Sequence, residues 1–195
     1  MKAAQLTSPK TLKLVDIEIP TPDNNEILVK LETISVCGSD LRKFDAVLPE
    51  EQYPLEIGKP NHECIGIVVE SRSDLYKEGD RVIVLASQSN GLKEYMTEHE
   101  SNAVLVPNNG DPAVWLMCQP MGTVLYSCQE TGSFLGKNVA ILGQGPIGLS
   151  FTSLVAAGGA KNVITTDLLD NRLEVSKNIG ATHTINPKKN NPMEI

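Results

Sequence analysis

Two phrases in the first third of the sequence hold side chains able to bind a metal ion. The first is Val36-Cys37-Gly38-Ser39-Asp40, and the second is Gly58-Lys59-Pro60-Asn61-His62-Glu63. A thiolate and an imidazole far apart in the chain, each beside a turn, can close on one zinc ion, with bonds of about 2.3 Å to sulfur and about 2.0 Å to nitrogen. Catalytic zinc uses three protein ligands and keeps a fourth position for water or substrate. Spacing alone leaves another reading open: a cysteine before a turn packed into a core, and a histidine satisfied by hydrogen bonds. Glu98-His99-Glu100 also carries ligand-type side chains but reads as a solvated strand end. His183 reads as structural, Cys64 and Cys128 as core among apolar neighbours, and Trp115 and Phe151 as packing.

The second chemical signal is Gly143-Gln144-Gly145-Pro146-Ile147-Gly148, a G-x-G-x-x-G that follows the apolar run 139–142 at once. Residues 149–157 are apolar enough for a buried helix, and 162–167 read as a second strand ending in Asp167. Strand, glycine turn, helix, strand and acid form the order a dinucleotide-binding unit needs. Gly143 permits the tight turn, Gly145 lets the backbone approach a pyrophosphate, and Gly148 lets helix and strand pack closely. The free N–H groups and positive end of the helix dipole would then face the phosphates. Asp167, about twenty residues past the last glycine, can accept the adenosine ribose hydroxyls and repel a 2′-phosphate, which points to NAD over NADP.

These residues need elements to hold them. Residues 26–33 alternate Ile27, Val29 and Leu31 against Glu26, Lys30 and Glu32, predicting a half-buried antiparallel strand. Further short strands are predicted at 64–70, 80–85 and 102–107, separated by turn clusters such as Lys77-Glu78-Gly79-Asp80. Ser39 and Asp40, both good N-caps, predict a short helix through Phe44. From Asp111 the period changes. Asp111 as N-cap with Pro112 at the first helical position opens a helix through Leu116, and a second, broken off by Pro120, runs from about Met121 to Thr131. A third strand of the nucleotide unit follows at 182–186. The fold class expected is α/β: a β-rich domain over residues 1–130, then a dinucleotide-binding unit over 131–195. A doubly wound dinucleotide fold needs two mononucleotide halves and one is present. The chain therefore reads as the N-terminal portion of a longer enzyme, inactive by itself.

At 195 residues the chain can hold one large domain or two small ones. A net charge of −7 without any Lys/Arg run argues against a nucleic-acid partner or an anionic membrane surface. No apolar h-region follows Met1 and no stretch approaches membrane-spanning length, so the sequence reads as cytoplasmic. The four cysteines, Cys37, Cys64, Cys118 and Cys128, lack framework spacing, which favours reduced thiols or a metal ligand over disulfides.

Cys37-Gly38-Ser39-Asp40, the His62-Glu63 pair, Gly79-Asp80-Arg81-Val82 and the Gly143–Gly148 motif stand here in one order. In that order the chain resembles the medium-chain, zinc-dependent alcohol and polyol (sorbitol-like) dehydrogenases along essentially its whole length. The resemblance implies a GroES-like catalytic domain ahead of a Rossmann domain, zinc in the cleft between them, and NAD as cofactor. It implies Cys37 and His62 as zinc ligands, Ser39 as the hydroxyl passing the alcohol proton outward, and Asp40 orienting His62 through its other ring nitrogen. Thr123 would lie near the nicotinamide, and Arg172 beside the adenosine ribose. For the third ligand, Gln119 stands where an ionised group is usual. Glu63 and Cys118 are the replacements, with Glu63 favoured because polyol-dehydrogenase relatives use that acid. Neighbouring residues on a regular strand face opposite ways, so His62 and Glu63 can both ligate only where the backbone before them is irregular. Asn61 replaces the usual glycine, Arg72 a usual small residue, and Arg42 a histidine that often ends the proton relay. The four-cysteine structural zinc loop is absent, so one catalytic zinc and no structural zinc is expected. The implied reaction is hydride transfer between a small alcohol or polyol and NAD, by a homo-oligomer at full length. A zinc-free enone or quinone reductase of the same fold, and an inactive fragment, are the rival readings.

Overall fold

A computed structural model describes residues 1–191; the last four positions of the expected 131–195 unit lie outside the described residues. The chain divides into two compact units, Met1–Gln119 and Pro120–Ile195.

Among the described residues, the first unit opens on an antiparallel hairpin, β1 (Lys2–Ser8) with β2 (Thr11–Asp16). Its main sheet comprises β3 (Glu26–Ser35), β4 (Glu63–Ser71), β5 (Arg81–Leu85), β6 (Tyr95–His99) and β7 (Ala103–Val106), all antiparallel. The spatial order is β6-β3-β4-β5-β7, which puts β3 and β4 in the interior. Ile27, Val29, Cys64, Val68, Val82, Val84 and Met96 bury one face together. The other face is covered locally, where Leu116 of α2 (Pro112–Leu116) joins Ile65 and Ile83. That second cover corrects the simple alternation expected of β3: Leu28 is buried as well as Ile27 and Val29, beside a register shift between Leu28 and Val29.

Helix α1 (Gly38–Asp45) starts earlier than expected. Cys37 is its N-cap, and Asp40, rather than standing at the N-cap, sits in the first turn and accepts the Cys37 N–H at 3.0 Å as the acid of a capping box. α2 begins as its sequence requires, Asp111 accepting the Ala113 N–H at 2.9 Å with Pro112 behind it. α3 (Cys118–Thr131) holds Pro120 inside its first turn, where no N–H is needed, so the proline does not interrupt it. Arg81 fixes the run into α2. Its guanidinium grips Glu32 through Nε at 2.9 Å and Nη2 at 3.2 Å, and donates to the Asn108 carbonyl at 2.8 Å.

In the second unit β8 (Asn138–Leu142), β9 (Asn162–Thr166) and β10 (His183–Ile185) form a parallel sheet in the order β10-β9-β8. α4 (Pro146–Ala157) crosses between β8 and β9, and α5 (Asp170–Asn178) between β9 and β10. α4 starts inside the glycine motif, at Pro146, and buries only Thr152 and Val155, less than its apolar sequence suggested. Among the described residues no helix is long and apolar enough to cross a membrane.

Gly66 of β4 pairs with Leu31 of β3 and packs directly against its backbone. A Cβ there would meet the Lys30 carbonyl oxygen at 2.2 Å and the Leu31 Cα at 2.8 Å. Both obstacles are backbone in a two-sided core, so Gly66→Ala is expected to cost at least the ~1–3 kcal/mol typical of overpacking. A fall in the urea midpoint at unchanged slope would measure it.

Candidate metal centre and dinucleotide turn

The chain brings Cys37, His62 and Glu63 together. One donor atom from each lies within 4.8 Å of the other two, close to the span of two zinc–ligand bonds of about 2.0–2.3 Å each. Cys37 reaches the group as the cap of α1. His62 stands just outside β4 and Glu63 begins it, so the regular alternation that would send the two side chains apart does not apply between them.

Asp40 organises the centre. It is 4% exposed, its Oδ2 accepts the Cys37 N–H at 3.0 Å, and its Oδ1 lies 3.2 Å from His62 Nδ1. A proton on Nδ1 facing the carboxylate leaves the Nε2 lone pair free to bind a metal ion. Nε2 lies 4.0 Å from Glu63 Oε1. Glu63 is buried, and among the described residues this imidazole edge is the only cation-forming group paired with it. A buried carboxylate is costly unless donors or a cation meet it. One soft sulfur, one imidazole and one carboxylate, with the imidazole oriented by a second carboxylate, suit zinc.

The other candidates separate from this group. Ser39 is exposed in the first turn of α1, and Arg42 is exposed on the same helix. Cys118 is exposed at the start of α3 and Gln119 is half-buried; Cys118 is not one of the clustered residues. Burial, with lesser help from the Asp40, Glu63 and Glu98 carboxylates, pushes the Cys64 thiol up to about 12, so it stays protonated. Cys128 is only half-buried, but burial still raises its thiol. Glu98 corrects the expectation of a solvated strand end. It is buried and accepts from the Ser87 N–H, the His99 N–H and Asn102 Nδ2, at 2.9, 3.2 and 2.9 Å. His99 remains exposed against Ser101, and His183 is exposed beside the Thr182 hydroxyl.

In the second unit the glycine motif forms a tight turn and helix start. Gly143 has φ +88°, a conformation glycine adopts without penalty, and its N–H reaches the Thr166 carbonyl at 2.8 Å. Gly145 caps α4, with Pro146, Ile147 and Gly148 in its first turn. A Cβ on Gly148 would meet the Gly143 carbonyl oxygen at 1.9 Å, so only glycine lets the helix close on the turn. Asp167 follows β9 directly. Its Oδ2 accepts the Gln144 N–H at 2.6 Å, its Oδ1 accepts the Leu169 N–H at 2.9 Å, and Arg172 Nη1 lies 3.7 Å away. The Gln144 bond is the main reason its carboxyl is held below the usual range; Leu169 and the Arg172 charge add to it.

Gly143, Asp167 and Arg172 line a cavity of about 500 Å³ with Thr166, Leu168, Leu169, Pro187 and Lys188. Thr123 is exposed on α3 and is not among its lining residues. The motif's variable positions gave no sign of Gln144. It is fully buried, its carboxamide donating to the Gly143 carbonyl at 2.9 Å and accepting from Thr152 Oγ1 at 2.8 Å.

The model for the alcohol dehydrogenase GroES-like domain matches residues 23–136. The chain belongs to this alcohol dehydrogenase family. Its sequence is 31% identical to an uncharacterised zinc-type alcohol dehydrogenase-like protein of Escherichia coli, over 95% of this chain and 62% of that protein. It is 27% identical to sorbitol dehydrogenase of Bacillus subtilis, over 100% of this chain and 63% of that one. A zinc-binding dehydrogenase of Sinorhizobium meliloti, solved with NADP bound, superposes with a TM-score of 0.83 at 26% identity, over 99% of this chain and 64% of that one. The chain thus spans less than two thirds of the length of these dehydrogenases. Its fold is α/β with a GroES-like domain.

Asp167 carries a pH-dependent share of this chain's stability. Its carboxyl is lower in the folded state than in the unfolded chain, so the ionised form favours folding. That contribution is complete above about pH 4–5 and fades as pH falls through the folded value. Asp167→Asn is expected to lose about 1.5–3 kcal/mol at pH 7, the worth of hydrogen bonds to a charged acceptor. Urea unfolding at pH 7 and pH 3 should show the gap to wild type narrowing at the lower pH.

Proposed function

We propose that this protein is a zinc-dependent oxidoreductase that moves a hydride between a small alcohol or polyol and NAD, with Cys37, His62 and Glu63 as the zinc ligands. The observation that carries the reading is the meeting of a thiol, an imidazole and a buried carboxylate within 4.8 Å, the imidazole backed by Asp40. The names of the relatives support the class: one is a zinc-type alcohol dehydrogenase-like protein and another a sorbitol dehydrogenase.

Bound there, zinc supplies a Lewis acid that lowers the pKa of a substrate oxygen, and the nicotinamide supplies the hydride acceptor. The chain's residues do the rest. Asp40 holds the His62 ring at Nδ1 and the Cys37 backbone at N–H, so ligand geometry is set before substrate arrives. Ser39 Oγ, exposed two residues after Cys37, carries the alcohol proton outward. A guanidinium does not shuttle protons near neutral pH, so Arg42 does not continue that relay and the proton leaves Ser39 for solvent. In the second unit the Gly145–Gly148 helix start offers N–H groups to the pyrophosphate. The Asp167 carboxylate accepts ribose hydroxyls and repels a 2′-phosphate.

Metal analysis after exhaustive dialysis is expected to find about one zinc per chain, lost in Cys37→Ser and in His62→Ala. Asp40→Asn should keep the metal but bind it about 10–100-fold more weakly. Zinc below stoichiometry in the wild-type protein would instead favour a zinc-free reductase of the same fold. NADP should bind at least about tenfold more weakly than NAD, since a like-charge contact with Asp167 costs more than 1.4 kcal/mol. Equal affinities in a titration would overturn that preference.

A further inference from the structure

Asn61 is fully buried and immediately precedes His62. Its Nδ2 donates to the Ser35 carbonyl at 2.7 Å, at the end of β3 and two residues before Cys37. Its Oδ1 accepts the Cys64 thiol at 3.3 Å. A backbone carbonyl can only accept, so the Ser35 contact fixes which end of the amide faces it. The main chain of Asn61 is equally committed. Its N–H reaches the Ser89 carbonyl at 2.9 Å, and its carbonyl accepts the Gly91 N–H at 3.0 Å. Gly91 presses directly on this arrangement: a Cβ there would lie 2.3 Å from Cys64 Sγ and 2.8 Å from Asn61 Oδ1.

We infer that Asn61 is a positioning residue for the metal centre, its carboxamide tying the end of β3 to the His62 segment and so setting how far Cys37 stands from His62 and Glu63. The inference rests on the metal-centre reading above. It assigns to Asn61 a role that touches neither metal nor substrate. Asp40 joins the same two segments through the His62 ring, whereas the Asn61 carboxamide joins them at the Ser35 main-chain carbonyl, from the residue before His62 to the residue two before Cys37. Neither link substitutes for the other. The ring can rotate about its own bonds while Asp40 holds it, and the Asn61–Ser35 bond adds to the Ser35–Glu63 strand pairing in holding the backbone that carries the ring. An aspartate at 61 would keep the shape and lose the donor, setting a carboxylate oxygen against the Ser35 carbonyl. An alanine would remove the carboxamide bond and leave the Ser35–Glu63 strand pairing as the tie.

The test compares wild type, Asn61→Asp, Asn61→Ala and the control Val68→Ala, a buried residue of β4 whose side chain makes none of these hydrogen bonds. Zinc affinity is read by competition with a chromophoric chelator, and geometry by the visible absorption of the cobalt-substituted protein. Both Asn61 variants are expected to bind zinc about 10–100-fold more weakly and to shift the cobalt bands. Val68→Ala is expected to lose thermal stability with wild-type affinity and spectrum. Asn61 variants that match wild type in both readouts would overturn the proposal, as would an equal loss of affinity in Val68→Ala, because the effect would then be general destabilisation. Wild-type protein that binds no zinc through Cys37 and His62 would overturn the metal-centre reading, and this proposal with it.

Discussion

One carboxylate, that of Asp40, is the contact on which the first unit's proposed metal centre depends. It is buried, and it accepts from two segments that the chain separates by the whole Cys37-to-His62 stretch. Burying a charged carboxylate is unfavourable unless donors meet it, and here a backbone N–H and an imidazole do so. The arrangement also has direction. The Cys37 N–H is one of the orphan donors of a helix start, and a first-turn acid is where the helix dipole favours negative charge. Asp40 therefore stabilises α1 and orients His62 with the same group, so the helix cannot fray without releasing the ring.

The rest of the sheet serves that contact by bringing β3 and β4 side by side. Cys37 follows the end of β3, and His62 precedes the start of β4, so antiparallel pairing of Ser35 with Glu63 delivers both to the same end of the sheet. Gly66 permits the close approach of the two strands, and the apolar cluster from Ile27 to Met96 holds them in register. A one-residue slip would turn Glu63 away from the group and carry the apolar set out of the core, which makes register and site the same constraint.

Much of this was legible in the sequence because it was written in residue types with narrow physical uses. Cys37, His62 and Glu63 could be singled out as candidate ligands, and the glycines at 143, 145 and 148 could be placed on a turn and a helix start. What escaped notice was set by tertiary context. Helix α5 has no apolar stripe, burying only Leu173 and Ser176, so periodicity could not find it. Glu98 looked like a solvated acid because nothing local reveals the Ser87 and Asn102 donors that come to it from neighbouring loops. Leu28 looked outward-facing because α2, which covers the second face of the sheet, is remote in sequence. The cap of α1 fell on Cys37 rather than on the better intrinsic cappers Ser39 and Asp40, since Asp40 was recruited to the imidazole.

The two units use carboxylates in opposite ways, and the difference follows from what each must face. Glu63 meets only the edge of an imidazole among the described residues and leaves negative charge at the proposed metal centre, which suits a divalent cation. Asp167 is already met by the Gln144 and Leu169 N–H groups, with a guanidinium close by, so its ionised form is held firmly without any cation bound. Such a carboxylate keeps lone pairs for neutral hydroxyls yet stays charged across the physiological range. Its rigidity comes from the turn itself, because the N–H that fixes Asp167 belongs to the residue between the first two glycines. Through Gln144 the motif sets the orientation of the acid proposed to read a ribose, and it ties turn and acid together in one short piece of backbone.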